Sequence, residues 1–175
     1  LINRLVTASS QDARKEIIRQ EANLVDAEFF GILSKLAEAA LAQGDQTSVK
    51  QLASIQQDLI SETEFGKNLA TQAKEAEAAI KSLQEASKDG LTREKLLDLI
   101  IEAPSDTRLS ALVGMARSGL DYEFFKLLTE RIEKSPGEEK ERLVKLRESL
   151  LKMVEEIDKA VEEKIKASQA LLEEI

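Results

Sequence analysis

Carboxylates are the plentiful reactive side chains of this chain, and several occur as adjacent pairs. Three pairs lie in a helical pattern towards the C-terminus: Glu155-Glu156, Glu162-Glu163 and Glu173-Glu174. Such groups could serve as a general acid and base, or as metal ligands, if both faced the same point. Adjacent residues on an α-helix point about 100° apart, so the two members of each pair diverge. We therefore expect these carboxylates to form a solvated helix surface.

Other kinds of catalysis lack the residues that they need. The 175 residues include no Cys, His or Trp, which excludes thiolate nucleophiles, Cys/His zinc sites and imidazole-based triads. A di-iron helical bundle normally uses Glu-x-x-His on two helices. No Gly-rich phosphate-binding motif occurs, and nothing points to a Ser-Lys dyad. The sequence predicts a protein that is not an enzyme, with no catalytic, cofactor-binding or metal-binding residues and no cofactor.

The phrase Asp-x-Glu-Phe-Phe occurs twice, at residues 26–30 and 121–125, and with Tyr122 it holds five of the six aromatic residues. The Asp of each phrase is placed to cap a helix, because its side chain can accept a hydrogen bond from a free backbone N–H. The Glu then lies in the first turn, where the helix dipole favours an anion. We expect Phe29 and Phe124 to begin the buried face of each helix. The alternative is that these Phe residues form exposed ligand-binding pockets.

The two phrases belong to a longer repeat with an offset of 95 residues. Apolar positions match across the offset while exposed polar positions differ, as two diverged copies of one packed unit would. The matched pairs include Leu1/Leu96, Leu5/Ile100, Ile18/Val113, Val25/Leu120, Phe30/Phe125 and Leu33/Leu128. The sequence therefore predicts two related helical units, residues 1–90 and residues 91–175, with the first truncated at its N-terminus.

Helical periodicity runs through the whole chain, so we predict an all-α fold in which each unit has short helices followed by a long one. The short helices are expected at the chain start or 92–101, at 10–22 or 105–118, and at 27–43 or 122–134. The long helices are expected at about 46–88 and from 138 to the end. We expect Gly66 to allow a bend or a close crossing in the first of them.

The second long helix carries an apolar stripe at steps of three and four residues. Its members are Leu143, Leu146, Leu150, Val154, Ile157, Val161, Ile165, Ser168, Leu172 and Ile175. Glu141, Glu148, Glu155 and Glu162 are each followed four residues later by a Lys, an order that supports one continuous helix. A stripe of this length predicts coiled-coil pairing, within the chain or between chains.

The charge distribution limits the partners. The net charge is −8, and residues 1–90 and 91–175 each carry four more acidic than basic residues. Nucleic-acid binding needs a concentrated basic surface, so we expect none. Membrane binding is disfavoured because no apolar run approaches the length of a transmembrane helix and the helix charges are balanced. The absence of Cys fits a reducing compartment and fits an exported protein nearly as well; of the two, we expect a cytoplasmic protein. The N-terminal LINRLV lacks an initiator Met, so we expect a piece of a longer protein.

Two long stretches resemble known helical regions. The first is GLDYEFFKLLTERIEKSPGEEKERLVKLRESLLKMVEEID, and the second is SSQDARKEIIRQEANLVDAEFFGILSKLAEAALAQGD. Both are similar to helical regions of multidomain bacterial proteins of cyanobacteria and green filamentous bacteria, including C-terminal extensions of CpXC-type proteins. The resemblance implies an all-helical accessory region and no catalytic residue.

These observations favour a non-catalytic helical scaffold, a protein-interaction or oligomerisation module of a larger bacterial protein. Its partner would be a second copy or a neighbouring domain, reached through the long helices. The alternative is a helical-bundle carrier of lipid or another apolar ligand, and a hydrolase or metal enzyme comes third.

Overall fold

The computed structural model describes residues 1–173, and in that range it contains nine α-helices, two short 3₁₀ helices and no strand. The all-α prediction is confirmed. The α-helices are α1 (Ile2–Val6), α2 (Gln11–Gln20), α3 (Ala27–Ala42), α4 (Gln46–Glu62), α5 (Glu64–Ala86), α6 (Arg93–Ile101), α7 (Asp106–Met115), α8 (Tyr122–Lys134) and α9 (Gly137–Glu173). The 3₁₀ helices are Ala22–Leu24 and Arg117–Gly119.

Contacts within the chain define two compact units, Leu1–Ala73 and Lys74–Ile175. The sequence prediction instead divides the chain at residue 90, after α5. The difference concerns the second half of α5, whose Ala79 is fully buried in the core of the second unit and whose Leu83 packs against that core.

The core of the first unit collects the apolar faces of α1 to α4. Its buried members are Leu5, Ile18, Val25, Phe30, Leu33, Leu52, Ile55 and Leu59. Beside this core lies a buried carboxylate, Asp58, which is only 2% exposed. It accepts hydrogen bonds from Gln11 Nε2 at 2.7 Å and from Arg14 Nε at 2.6 Å. This network ties α2 to α4. Across the described residues, every buried side-chain nitrogen or oxygen atom has a hydrogen-bond partner.

The core of the second unit is built from α5 to α9. Its buried members are Ala79, Leu96, Leu97, Ile100, Leu109, Leu112, Val113, Ala116, Leu120, Phe124, Leu128, Ile132, Leu143 and Leu150. Glu75 of α5 accepts a hydrogen bond from Arg108 Nε of α7 at 2.9 Å, so a polar contact accompanies the packing of α5 in this unit.

Helix starts follow local capping chemistry, as the sequence predicts. Asp26 Oδ1 accepts from Phe29 N–H at 2.9 Å, and Asp121 Oδ1 accepts from Phe124 N–H at 3.1 Å. Ser10, Ser105 and Thr92 cap α2, α7 and α6 in the same manner. At the end of α3, Gly44 takes a φ of +73°, the left-handed conformation that glycine adopts without steric cost.

Several elements of the two units coincide at an offset of 95 residues. The bounds of α2 and α7 match at both ends, as do those of the two 3₁₀ helices, and α3 and α8 start at matching positions. Matched residues are also buried alike: Ile18 and Val113 are both fully buried, and Leu5 and Ile100 are each 1% exposed.

The prediction of one continuous helix over 46–88 is wrong. The helix is interrupted at Thr63, whose extended backbone separates α4 from α5. Thr63 Oγ1 donates to Leu59 O at 2.7 Å and accepts from Gly66 N–H at 2.9 Å, so one buried hydroxyl ends α4 and caps α5. Gly66 allows this close crossing, because an added Cβ would lie 2.4 Å from Leu59 O and 2.5 Å from Ile60 Cα.

The two Phe-Phe phrases differ in which ring is buried. Phe124 is fully buried, as predicted, and meets Phe125 edge-on with ring centroids 5.4 Å apart. The corresponding prediction for Phe29 is wrong, because Phe29 is half-buried and Phe30 is the buried ring of α3. Phe30 packs against Phe65 of α5 at 5.6 Å between centroids. That partner follows the break at Thr63, which explains why the sequence pattern did not show it.

Candidate interaction surface

The predicted stripe of α9 passes from a buried to an exposed environment along the helix. Leu143 and Leu150 are fully buried, whereas Val161 and Ile165 are 50% and 51% exposed. Between them, Val154 and Ile157 are partly buried against the core of the second unit. Ser168 is exposed, and Leu172 and Ile175 lie outside the residues whose side chains the structure describes. The apolar pattern of α9 therefore continues beyond the helices that cover it.

An apolar groove between α7 and α9 lies beside the point where the stripe becomes exposed. Its lining includes Val113 and Gly114 of α7 and Met153, Ile157 and Ala160 of α9, and its volume is about 360 Å³. An added Cβ at Gly114 would meet no atom within 4 Å, so nothing in this unit fills the space above it. The sequence pattern did not indicate this groove, because it depends on how two helices cross.

An ion pair fixes α9 just before its exposed part. Arg117 Nε donates to Asp158 Oδ1 at 2.9 Å, and Arg117 Nη1 also donates to the backbone oxygen of Leu120. The hydrogen bond from Arg117 lowers the pKa of Asp158 below its ordinary value. This contact holds α9 against the 3₁₀ helix that follows α7, so the residues after Asp158 extend from a defined anchor.

Charged pairs continue along the solvated face of α9. Lys159 Nζ donates to Glu155 Oε1 at 2.6 Å, which lowers the pKa of Glu155 and raises that of Lys159. Lys166 Nζ lies 3.9 Å from Glu162. Lys152 Nζ lies 4.0 Å from Glu156, which is not a member of the predicted Glu–Lys pattern, so Lys152 pairs outside the pattern and not with Glu148. These pairs support the helix on the side away from the stripe.

Among the side chains that the structure describes, which end at Gln169, no group of three or more acidic side chains is placed to hold a metal ion. The described helices also include none that is both long enough and apolar enough to cross a membrane.

Comparison with known protein families gives a match over more than half of the chain. The sequence model of a domain of unknown function, DUF8246, matches residues 61–161. These residues contain α5 to α8 and α9 as far as Val161. No curated protein and no solved structure matches the chain.

Proposed function

The chain belongs to the DUF8246 family, a family of unknown function, and we propose that it is a non-catalytic helical assembly module that self-associates through α9. The observation that carries this proposal is the half-exposure of Val161 and Ile165 on a stripe whose earlier members are buried. Exposed apolar residues in a continuous row are typical of surfaces that bind another protein.

The spacing of the stripe supports a helical partner. From Leu143 to Leu172 its members advance by three, four and four residues, a pattern that repeats every eleven. This period is close to that of a straight helix, so the stripe stays on one face and gives a slightly right-handed supercoil. The exposed members follow the same register as the buried ones, so the surface that meets α7 and α8 continues as a surface for another helix.

Charges beside the stripe favour a parallel pair of α9 helices from two copies. At about 100° per residue, Asp158 and Glu162 lie on one side of the line through Val161 and Ile165, and Lys164 lies on the other. A parallel pair brings opposite sides together, so Lys164 of one copy meets the acidic side of the second copy. An antiparallel pair would place the two acidic sides against each other.

A single introduced cysteine tests the parallel pair, because the native chain contains none. Ser168 is an exposed member of the stripe, and in a parallel pair it faces the same residue of the second copy. We expect Ser168→Cys to form a disulfide-linked dimer under mild oxidation, and Val161→Glu with Ile165→Glu to prevent the link. Glu163→Cys, on the opposite face, is the control. Absence of a link at residue 168, or equal linking at 163 and 168, would contradict the proposal.

An apolar-ligand carrier is the second candidate, and the open apolar groove between α7 and α9 is the observation that favours it. Its volume of about 360 Å³ falls at the lower end of the range of small-molecule sites. Native mass spectrometry of the purified chain distinguishes the two functions. A stoichiometric bound lipid would favour the carrier, whereas a ligand-free chain that forms the cross-link at residue 168 favours assembly.

The wider context also stays a prediction. A larger bacterial protein of the CpXC-type kind, a cytoplasmic location and a duplicated ancestral unit are all consistent with the assembly role. The coincident bounds of α2 and α7 support the duplication.

A further inference from the structure

Helix α3 of the first unit carries a second apolar surface that its own unit leaves uncovered. Ile32 and Leu36 are 43% and 42% exposed, and Leu24, just before the helix, is 52% exposed. Beside Leu36 is a groove of about 350 Å³ whose apolar lining includes Ile2 and Val6 of α1. From residue 27 to 42 the helix carries only Glu28, Lys35 and Glu38 as charged residues. We name this surface, formed by Leu24, Ile32, Leu36 and Ala39, the α3 surface.

The second unit shows that the fold does not require an apolar surface here. At the offset of 95 residues, Leu36 corresponds to Arg131 and Asn3 corresponds to Asp98. Arg131 Nη2 donates to Asp98 Oδ1 at 3.1 Å, so an exposed ion pair joins α6 to α8 at this place. The packing of a unit is therefore compatible with charged residues at these positions. Leu36, the apolar residue at this place in the α3 surface, therefore needs a different explanation.

We propose that the α3 helices of two copies pack antiparallel about a two-fold axis that passes between Gly31 and Ile32. An isologous contact of this kind needs a self-complementary surface. Glu28 and Lys35 lie on the same side of the α3 surface at about 100° per residue. In an antiparallel symmetric pair, equal sides face each other, so Glu28 of each copy meets Lys35 of the other.

The same register also serves the apolar contact. It brings Ile32 of the two copies together beside the two-fold axis, and this side chain is exposed in the single chain. Leu36 and Ala39 continue the contact towards the groove that Ile2 and Val6 line. The register that pairs the charges therefore also covers the exposed apolar side chain at the centre of the α3 surface. A single helix pair is a small interface, so this contact is weak and depends on concentration.

The test uses the full chain with α9 disabled by Val161→Glu and Ile165→Glu, followed by sedimentation velocity at increasing concentration. We expect this chain to form a dimer. Adding Asn3→Asp and Leu36→Arg introduces the ion pair that the second unit already accommodates, so the chain should fold, and we expect a monomer. Circular dichroism confirms that the helix content is unchanged.

Charge reversal tests the register. Glu28→Lys alone and Lys35→Glu alone each replace two attractive pairs by two repulsive ones, and each should weaken the dimer about tenfold. The chain with both reversals should regain wild-type affinity. A mixture of the two single variants should form a heterodimer, because each then supplies the charge that the other lacks.

The outcomes separate this inference from the proposed role of α9. A chain with α9 disabled that stays monomeric at every concentration would overturn the α3 contact and leave the α9 proposal intact. Failure of the double reversal to restore association would overturn the antiparallel register. Cross-linking at residue 168 that disappears with Leu36→Arg alone would instead show that α9 has no association of its own.

Discussion

At the residue scale, Asp121 combines two roles that its counterpart Asp26 does not combine. Both accept the capping bond at the start of their helix. Asp121 also forms an ion pair with Arg93 at the start of α6, whereas in the described residues Asp26 shows no ion pair. The capping role was predicted because it depends on neighbours in sequence, and the ion pair was not, because it joins two separate helices.

This contrast predicts an acid-sensitive contribution to the stability of the second unit. The hydrogen bond from Arg93, followed by that from Phe124 N–H, holds the pKa of Asp121 far below its ordinary value of 3.8. Because the folded state binds the proton less readily than the unfolded state, the contribution is present above pH 3.8 and is lost as the pH falls further. We expect Asp121→Asn, which keeps a capping side chain, to lower the melting temperature at pH 7 and to reduce its loss between pH 5 and about pH 2.

Asp26→Asn is the matched control, since it removes the same charge from the same kind of cap without removing an ion pair. Thermal melts followed by circular dichroism over this pH range measure both variants. Equal effects of the two substitutions at pH 7 would show that the Arg93 pair contributes nothing beyond the cap.

At the element scale, the sequence predicted helices where local signals determine them and missed a boundary that packing determines. The starts of α2, α3, α7 and α8 follow from Ser and Asp caps, and their positions were predicted within about one residue. The break at Thr63 was missed, because a single Thr is compatible with a helix interior. Thr63 interrupts the helix because its buried hydroxyl donates a hydrogen bond to the backbone oxygen of Leu59 and accepts one from the backbone N–H of Gly66. Gly66 was predicted to allow a bend or a close crossing, and it does allow the close crossing, but the break beside it was not predicted.

Substitution by alanine should have opposite effects on stability at two glycines of the first unit, Gly66 beside the α4–α5 break and Gly31 within α3. Gly66→Ala should destabilise the fold by about 1–3 kcal/mol, because the new Cβ would meet backbone atoms of Leu59 and Ile60 that cannot move independently. Gly31→Ala should stabilise it by about 0.5–1 kcal/mol, because α3 is helical there and an added Cβ meets no atom within 4 Å.

Urea unfolding of the two variants at low protein concentration measures the difference. Both glycines lie in the first unit, so the same transition reports both changes. Opposite shifts of the midpoint are expected. A shift of the same sign for both would mean that helix propensity, and not the close crossing, determines the requirement for glycine at 66.

The candidate surface shows the same division between local and tertiary information. The packed part of the α9 stripe, from Leu143 to Ile157, was predicted, because its period can be read from spacing alone. The point at which it becomes exposed could not be predicted, because it depends on where α7 and α8 end relative to α9. The groove beside Ile157 and the exposed α3 surface likewise depend on helix crossings. The α3 surface is recognisable only when the two units are compared position by position.

At the scale of the whole molecule, the compact units and the family match both group the second half of α5 with the helices that follow it. The match begins at residue 61, just before the break, and the second unit includes the chain from Lys74. The repeat alone places the unit boundary at 90, because its matched pairs begin at Leu1 and Leu96, on either side of that position. Packing assigns the second half of α5 to the second unit, and burial of Ala79 and Leu83 is the physical reason.

Two fragments distinguish these boundaries. Residues 61–175 retain Ala79, Leu83 and the bond between Glu75 and Arg108, so we expect a cooperative unfolding transition. Residues 91–175 lose these contacts and expose the core that α5 covers, which should cost about 2 kcal/mol or more. Lys95 Nζ would also lose its bond to the backbone oxygen of Ala86. Urea unfolding of both fragments measures the difference, and Ala79→Ser with Leu83→Ser in the longer fragment should reproduce most of it. Equal stability of the two fragments would assign α5 to a linker and place the boundary at residue 90.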